Sequence, residues 1–163
     1  MSQTREEFER TALPHLRSLL RFARRITGSA AQAEDLVQET YLLAWRGFNG
    51  YTPGSNIRAW LFRILINANR GVARRRFATI PIPTAESLPG GKLRAEPFEV
   101  LDALDRLPEE QRTVLSLCAI EGFTGPEVSE ILGVPLGTVM SRLSRARQAM
   151  RHLLASRMEK VSK

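Results

Sequence analysis

Thr124-Gly-Pro-Glu-Val-Ser-Glu-Ile-Leu-Gly133-Val-Pro135-Leu-Gly-Thr138-Val-Met-Ser141-Arg142-Leu-Ser-Arg145-Ala-Arg147 decides the fold of this 163-residue chain. It reads as a helix, a Gly-containing turn and a second helix. Thr124, with Glu127 three residues on, forms a capping box for the first helix. Gly133 closes that helix, and the second runs from about Leu136 to Arg157. In the second, Val139, Leu143, Ala146, Met150 and Leu153/Leu154 recur at the helical period as an inner stripe. Thr138, Ser141, Arg142, Ser144 and Arg145 fall elsewhere on its N-terminal half, the half that enters the major groove in helix-turn-helix proteins. Arg pairs bidentately with guanine, and Ser or Thr takes either role. Arg147 and Arg151, further along, suit phosphates. The alternative is a helical hairpin with a basic surface.

Charge placement widens this reading. The net charge is +7. Residues 56–78 carry Arg58, Arg63, Arg70, Arg74, Arg75 and Arg76 and no acid, and residues 136–163 carry five Arg, two Lys and only Glu159 as an acid. Residues 99–135 between them hold eight acids against two Arg. Two basic segments, each without balancing acids, point to one polyanion touched at two places by counterion release; solvated faces are the alternative.

Runs of alternating Val, Ile and Thr are absent, so the expected fold is all-α, without strands. A first helical stretch spans about Thr4 to Thr27, with Phe8, Leu13, Leu16, Leu19, Leu20, Ala23 and Ile26 as its stripe and Pro14 as a kink or restart. Gly28 ends it, and Ser29 caps a helix over about 30–46 that presents Ala33, Leu36, Val37, Tyr41, Ala44 and Trp45. A Gly-rich loop, Gly47–Asn56, leads into a helix from Ile57 to about Arg76. Residues 79–97 hold four prolines and two glycines and read as an extended linker. The expected domains are 1–78 and 98–163. In the second, Phe98–Arg106 and a helix from Pro108 to about Glu121 precede the helix-turn-helix.

The first domain interleaves aromatic and basic groups from Phe48 to Arg70. Aromatic faces stack on unpaired bases while Arg tracks the backbone, and Asn49, Ser55 and Asn56 in the loop suit the edge of a base taken out of the stack. Trp60 reads as core and Tyr51 as the better base contact. On the 30–46 helix, Asp35, Gln38, Glu39 and Leu42 share one stripe. Acids repel DNA, so this face suits a protein partner, with a solvated face as the alternative.

No apolar run approaches the roughly 18 residues of a membrane span. The N-terminus has no signal-peptide pattern, so a cytoplasmic location is expected. Cys118 is the only cysteine, which excludes an intramolecular disulfide, and its apolar neighbours suggest a buried thiol. No Cys/His cluster suits a metal. His15 and His152 lie on helices without a nucleophile or carboxylate beside them, so neither a catalytic site nor a cofactor is expected.

Asp35-Leu-Val-Gln-Glu-Thr-Tyr-Leu-Leu-Ala-Trp-Arg46 resembles region 2.2 of the bacterial extracytoplasmic-function (ECF) sigma factors of the sigma-70 family. Asn56-Ile-Arg-Ala-Trp-Leu-Phe-Arg-Ile-Leu-Ile-Asn-Ala-Asn69 resembles regions 2.3 and 2.4. Leu107-Pro-Glu-Glu-Gln-Arg112, Glu121-Gly-Phe-Thr124 and Gly137-Thr-Val-Met-Ser-Arg142 resemble region 4. The resemblance covers nearly the whole chain in family order. Counterparts of region 1.1 and of a region 3 domain are absent, as in the two-domain ECF type.

The resemblance implies that Asp35, Gln38, Glu39 and Leu42 bind core RNA polymerase on the clamp helices of its largest subunit. It implies that Thr138, Ser141, Arg142, Ser144, Arg145 and Arg147 read a duplex −35 element. Phe48, Asn49, Gly50, Tyr51, Asn56, Arg58, Arg63, Asn67 and Arg70 would read and help open the −10 element as a single strand. The phosphodiester chemistry would belong to the polymerase. An anti-sigma factor is the expected regulatory partner, and Tyr51–Asn56 and Gly137–Leu143 resemble sigma factors of thiol-oxidative stress held by a zinc-binding one. Met140 and Ser144 differ from several relatives, so no −35 sequence transfers. A stand-alone helix-turn-helix regulator and an anti-sigma decoy are the competing functions. The aromatic-basic loop argues against the first and the two basic segments against the second.

Overall fold

The computed structural model describes residues 4–79 and 99–161, which divide into two compact units, Met1–Gly90 and Gly91–Lys163. The described residues are all-α, with no strand among them. Thr79 closes a helix, and the rest of the expected 79–97 linker lies outside the described residues.

In the first unit, α1 (Arg5–Ala12) leads through a 3₁₀ turn, Leu13–His15, into α2 (Leu16–Thr27). Pro14 sits in that turn and restarts the helix, as its missing N–H requires. The turn also resets the helical phase. A stripe drawn as if the helix were continuous therefore fails at this point: Leu13 and Leu16 are exposed, while Phe22, outside that stripe, is fully buried with Leu19 and Ala23. Gly28, at φ 69°, closes α2 in the left-handed conformation, and its N–H donates to the Arg24 carbonyl at 2.9 Å.

Ser29 caps α3 (Ala30–Gly47), its hydroxyl accepting from the Gln32 N–H at 3.4 Å. Ala33, Leu36, Val37 and Ala44 are buried, and Trp45, expected inside, is largely exposed. α4 (Ile57–Thr79) supplies Leu61, Phe62, Leu65 and Ile66 to the core. α3 packs on both α2 and α4. Ser18 meets Arg58, and the Phe22 and Phe62 rings lie 5.2 Å apart. Each contact advances by four residues on both helices, so α2 and α4 run parallel. Each of these buried side chains contributes about 1.5–3 kcal/mol.

In the second unit, α5 (Glu99–Asp105) and α6 (Glu109–Leu115) precede a π-helical turn, Ser116–Ile120. The Glu121 N–H reaches back five residues to the Ser116 carbonyl at 3.0 Å. The expected uniform α-helix to Glu121 is thus widened in its last turn. The widening turns Ala119 and Ile120 outward and leaves Cys118 half-buried rather than enclosed. Burial pushes its thiol pKa up, partly opposed by the nearby Arg147 charge. α7 (Gly125–Leu132) carries the expected capping box: the Thr124 N–H donates to Glu127 at 2.7 Å, and the Glu127 N–H to the Thr124 hydroxyl at 3.3 Å. Gly133, at φ 65°, ends it, and α8 (Leu136–Val161) follows. Val139, Leu143 and Ala146 are buried, with Met150, Leu153 and Leu154 half-buried below them.

One half-buried polar contact ties α3 to α1. The Tyr41 hydroxyl donates to the Ala12 carbonyl at 2.8 Å, and burial pushes its pKa up to about 12, above the usual phenol value near 10. The unfolded chain therefore ionises first, and stability present below pH 10 is lost as pH rises toward 12. Both tryptophans, Trp45 and Trp60, lie in this unit, so their fluorescence follows it in urea. Tyr41→Phe is expected to cost about 1 kcal/mol at neutral pH and to flatten the decline in stability between pH 10 and 12. An equal decline in both proteins would assign it to other groups.

Candidate nucleic-acid interface

The loop after α3 begins as a 3₁₀ turn, Phe48–Gly50. Phe48 is 2% exposed. Its ring lies edge-on to Phe8 at 5.0 Å and stacks with Tyr51 at 5.6 Å and 6°. Phe48 was expected to touch DNA; enclosed by these rings, it has no face to offer a base. It is the floor of the loop. Asn49 and Gly50 project into solvent next to it.

Tyr51 is half-buried, its second ring neighbour being Trp60 at 5.2 Å. Its hydroxyl donates to the Ser55 carbonyl at 2.6 Å, which closes the loop on itself. Trp60, expected in the core, is also only half-buried, since it walls this cluster rather than the interhelical core. The Asn56 amide oxygen accepts from the Ala59 N–H at 3.0 Å. That bond caps α4 and orients the side chain toward the helix. Arg58 stands over the Phe62 ring at 5.4 Å and donates to Ser18 at 3.4 Å, a tether between α4 and α2. Burial, and then the Arg58 charge, hold the His15 imidazole pKa below its ordinary value.

The other basic candidates sit differently. Arg63, Asn67, Arg70 and Arg74 are all exposed, and their spacing of i, i+4, i+7 and i+11 places them on one stripe of α4. Asp35, Gln38, Glu39 and Leu42 are likewise all exposed on α3. Leu43 and Trp45 are exposed beside them, an apolar addition to this face that the charge pattern alone did not flag.

On α8, Ser141, Ser144, Arg145 and Arg147 are exposed, and Thr138 and Arg142 are half-buried. The Ser141 hydroxyl donates to the Thr138 carbonyl at 3.0 Å. Arg142 donates to Glu110 on α6 at 3.0 Å; its side chain is 21% exposed and that of Glu110 70%. Sequence reasoning did not pair these groups, which lie 32 residues apart. Met140, where the sequence differs from several relatives, is 49% exposed on the outer face of α8. A Cβ on Gly125 would come within 3.2 Å of the Leu136 and Met140 side chains. The bare glycine therefore sets how closely α7 approaches the start of α8.

No group of three or more His, Cys, Asp or Glu that could hold a metal occurs among the described residues. No helix among them is long and apolar enough to cross a membrane.

Sigma-70 region 2 matches residues 12–77, and sigma-70 region 4 matches residues 98–150. The ECF RNA polymerase sigma factor EcfG of Rhodopseudomonas palustris is 40% identical over 149 residues, covering 88% of this chain and 81% of that protein. The sigma factor RpoE, solved in complex with the anti-sigma factor NepR from Bartonella quintana, superposes with a TM-score of 0.76 at 31% identity, over 92% of this chain and 98% of that one. CnrH, solved with the cytosolic domain of CnrY, gives a TM-score of 0.69 at 28% identity, over 94% and 90% of the two chains. With both sigma regions in order on two all-α units, the chain belongs to the ECF RNA polymerase sigma factors of the sigma-70 family.

Proposed function

We propose that this chain binds core RNA polymerase through the outer stripe of α3, reads a duplex −35 element with α8, and holds unpaired −10 bases at the 47–56 loop and the Arg63–Arg70 stripe of α4. The observation that carries the reading is the division of chemistry on the first unit. One exposed helix face is mainly acidic and apolar, at Asp35, Glu39, Leu42 and Trp45 with Arg46 at its C-terminal end, and another is basic, at Arg63, Arg70 and Arg74. The first suits protein and repels phosphate; the second does the reverse. In the loop, Asn49, Gly50 and the edge of Tyr51 are the groups left to meet a base, on the floor that Phe48 provides. On α8, Arg142 and Arg145 are the base readers, with Thr138, Ser141 and Ser144 beside them, and Arg147 contacts phosphate. Sequencing the 5′ ends of RNA made by core polymerase with this protein on genomic DNA tests the whole reading. Transcription unchanged by its addition would refute it.

Regulation is part of the proposal. An anti-sigma factor covers the α3 face and blocks polymerase in a stress response; RpoE, solved in complex with the anti-sigma factor NepR, supports an anti-sigma partner. A zinc-binding anti-sigma factor rests on the Tyr51–Asn56 and Gly137–Leu143 strings, and metal analysis of the co-purified partner decides it.

Asp35→Arg combined with Glu39→Arg should weaken core binding roughly tenfold or more, because charge reversal at an interface costs several kcal/mol. Both side chains are exposed, so helicity by circular dichroism and duplex binding through α8 should be unchanged. Core affinity by biolayer interferometry is the measurement. Glu110→Gln removes the acid that competes with DNA for Arg142. An ion pair this exposed is worth under about 1 kcal/mol. Affinity for duplex DNA should therefore rise by roughly two- to fivefold, read by fluorescence anisotropy, with thermal stability nearly unchanged.

A further inference from the structure

A second arginine stripe, outside the residues assigned so far, lies on α2. Arg17, Arg21 and Arg24 are all exposed. Their i, i+4, i+7 spacing places them on one face, and α2 contains no acid. The helix dipole favours Arg24, in the last turn of α2, but not Arg17. The positive end of a helix disfavours a cation in its first turn, where Arg17 stands. The Arg17/Arg21 and Arg21/Arg24 pairs repel each other, at about 0.2–0.5 kcal/mol per like-charge pair.

The parallel packing of α2 and α4 says where this stripe points. Ser18 and Phe22 face Arg58 and Phe62. At about 100° per residue, Arg17, Arg21 and Arg24 lie to one side of that line, and the buried Leu19 and Ala23 lie to the other. On α4, Arg63, Asn67, Arg70 and Arg74 lie on the side away from the buried Leu61, Leu65 and Ala68. α3 packs against both helices and takes the buried flanks. The two arginine stripes therefore emerge together on the face opposite α3.

We infer that α2 carries the phosphates of the same unpaired DNA strand whose bases the loop and α4 hold, so that the single-strand track is two helices wide. Arg17, Arg21 and Arg24 are its phosphate contacts, spread over about 10 Å of helix. The inference rests on the proposed −10 role of α4. It goes further in giving α2 a part in binding nucleic acid. Continuity with the α4 stripe, and the opposite charge of the α3 face, favour DNA over a polypeptide on this surface.

The test uses the full chain and a fluorescein-labelled thymidine 20-mer, which offers phosphates without promoter sequence or polymerase. Affinity is measured by anisotropy across a salt series. Each arginine that no longer neutralises a phosphate of a single strand lowers the slope of log K against log salt by about 0.7. Arg17→Gln/Arg21→Gln/Arg24→Gln should lower it by about 2 with core affinity unchanged, and the single variants, each by about 0.7, serve if the triple does not fold. An unchanged slope, no binding of the 20-mer by the unmodified chain at low salt, or a drop in core affinity in the triple variant would overturn the inference; the last would make α2 a polypeptide-docking face. Arg63→Gln/Arg70→Gln separates the two readings. A slope lowered by this pair alone keeps the α4 role and removes that of α2, and a slope lowered by neither set removes both.

Discussion

The Phe48 ring is the contact on which the loop end of the first unit depends. It lies against Phe8 of α1, Tyr51 of the loop and, at 6.5 Å, Trp60 of α4. Phe8 in turn meets Tyr41 and Trp45 of α3. Offset and edge-on aromatic pairs add about 0.5–1.5 kcal/mol each beyond simple burial. A Gly-rich loop costs backbone entropy to order, and this cluster, with the Tyr51–Ser55 hydrogen bond, offsets that cost. A rigid floor then leaves Asn49, Gly50 and one edge of Tyr51 in fixed positions. Preorganisation of that kind lowers the entropy lost when a base is captured.

The same packing separates charge. α3 sits against α2 and α4 and turns Asp35 and Glu39 outward, while the exposed sides of α2 and α4 carry only cations and amides along their arginine stripes. Opposite charge on opposite faces orients a small unit in a strong field. A polyanion and a protein can then occupy it together without competing for one surface. Tyr41 and its bond to the Ala12 carbonyl keep α1 on the α3 side of this arrangement.

Most of the helical plan was legible in the sequence because local rules govern it. Gly28 and Gly133 end helices in the left-handed conformation, Thr124 and Glu127 form a reciprocal cap, and the α8 stripe at Val139, Leu143 and Ala146 is buried. The misses share a cause: each needed tertiary or phase information. Leu13 and Leu16 are exposed because a 3₁₀ turn breaks the helical phase at Pro14. Cys118 is half-buried because a π turn adds a residue to the last turn of its helix. Phe48 looked like a base-stacking group by its place in a loop, and only its contact with Phe8, 40 residues earlier, makes it core. Asn56 and Arg58 carry structural roles that their DNA chemistry did not announce: one caps α4 and the other tethers it to α2. The Arg142–Glu110 pair joins segments that no local pattern connects.

That pair bears on how α8 could discriminate. Arg142 is half-buried and already held by a carboxylate when no DNA is present. A bidentate contact to the correct base is worth about 1–3 kcal/mol, more than the under about 1 kcal/mol of an exposed ion pair. A passing phosphate offers Arg142 a contact of the same kind as Glu110 does, with little gain from the exchange. In the proposed −35 role, Glu110 would act as a threshold that a correct base exceeds and a phosphate does not. Specificity is a difference of affinities, and an internal partner that Arg142 must leave in either case lowers both affinities without widening the gap between base and phosphate. Under the proposed −35 reading, Arg142 gives up an internal partner to reach its base, and the exposed Arg145 reads beside it.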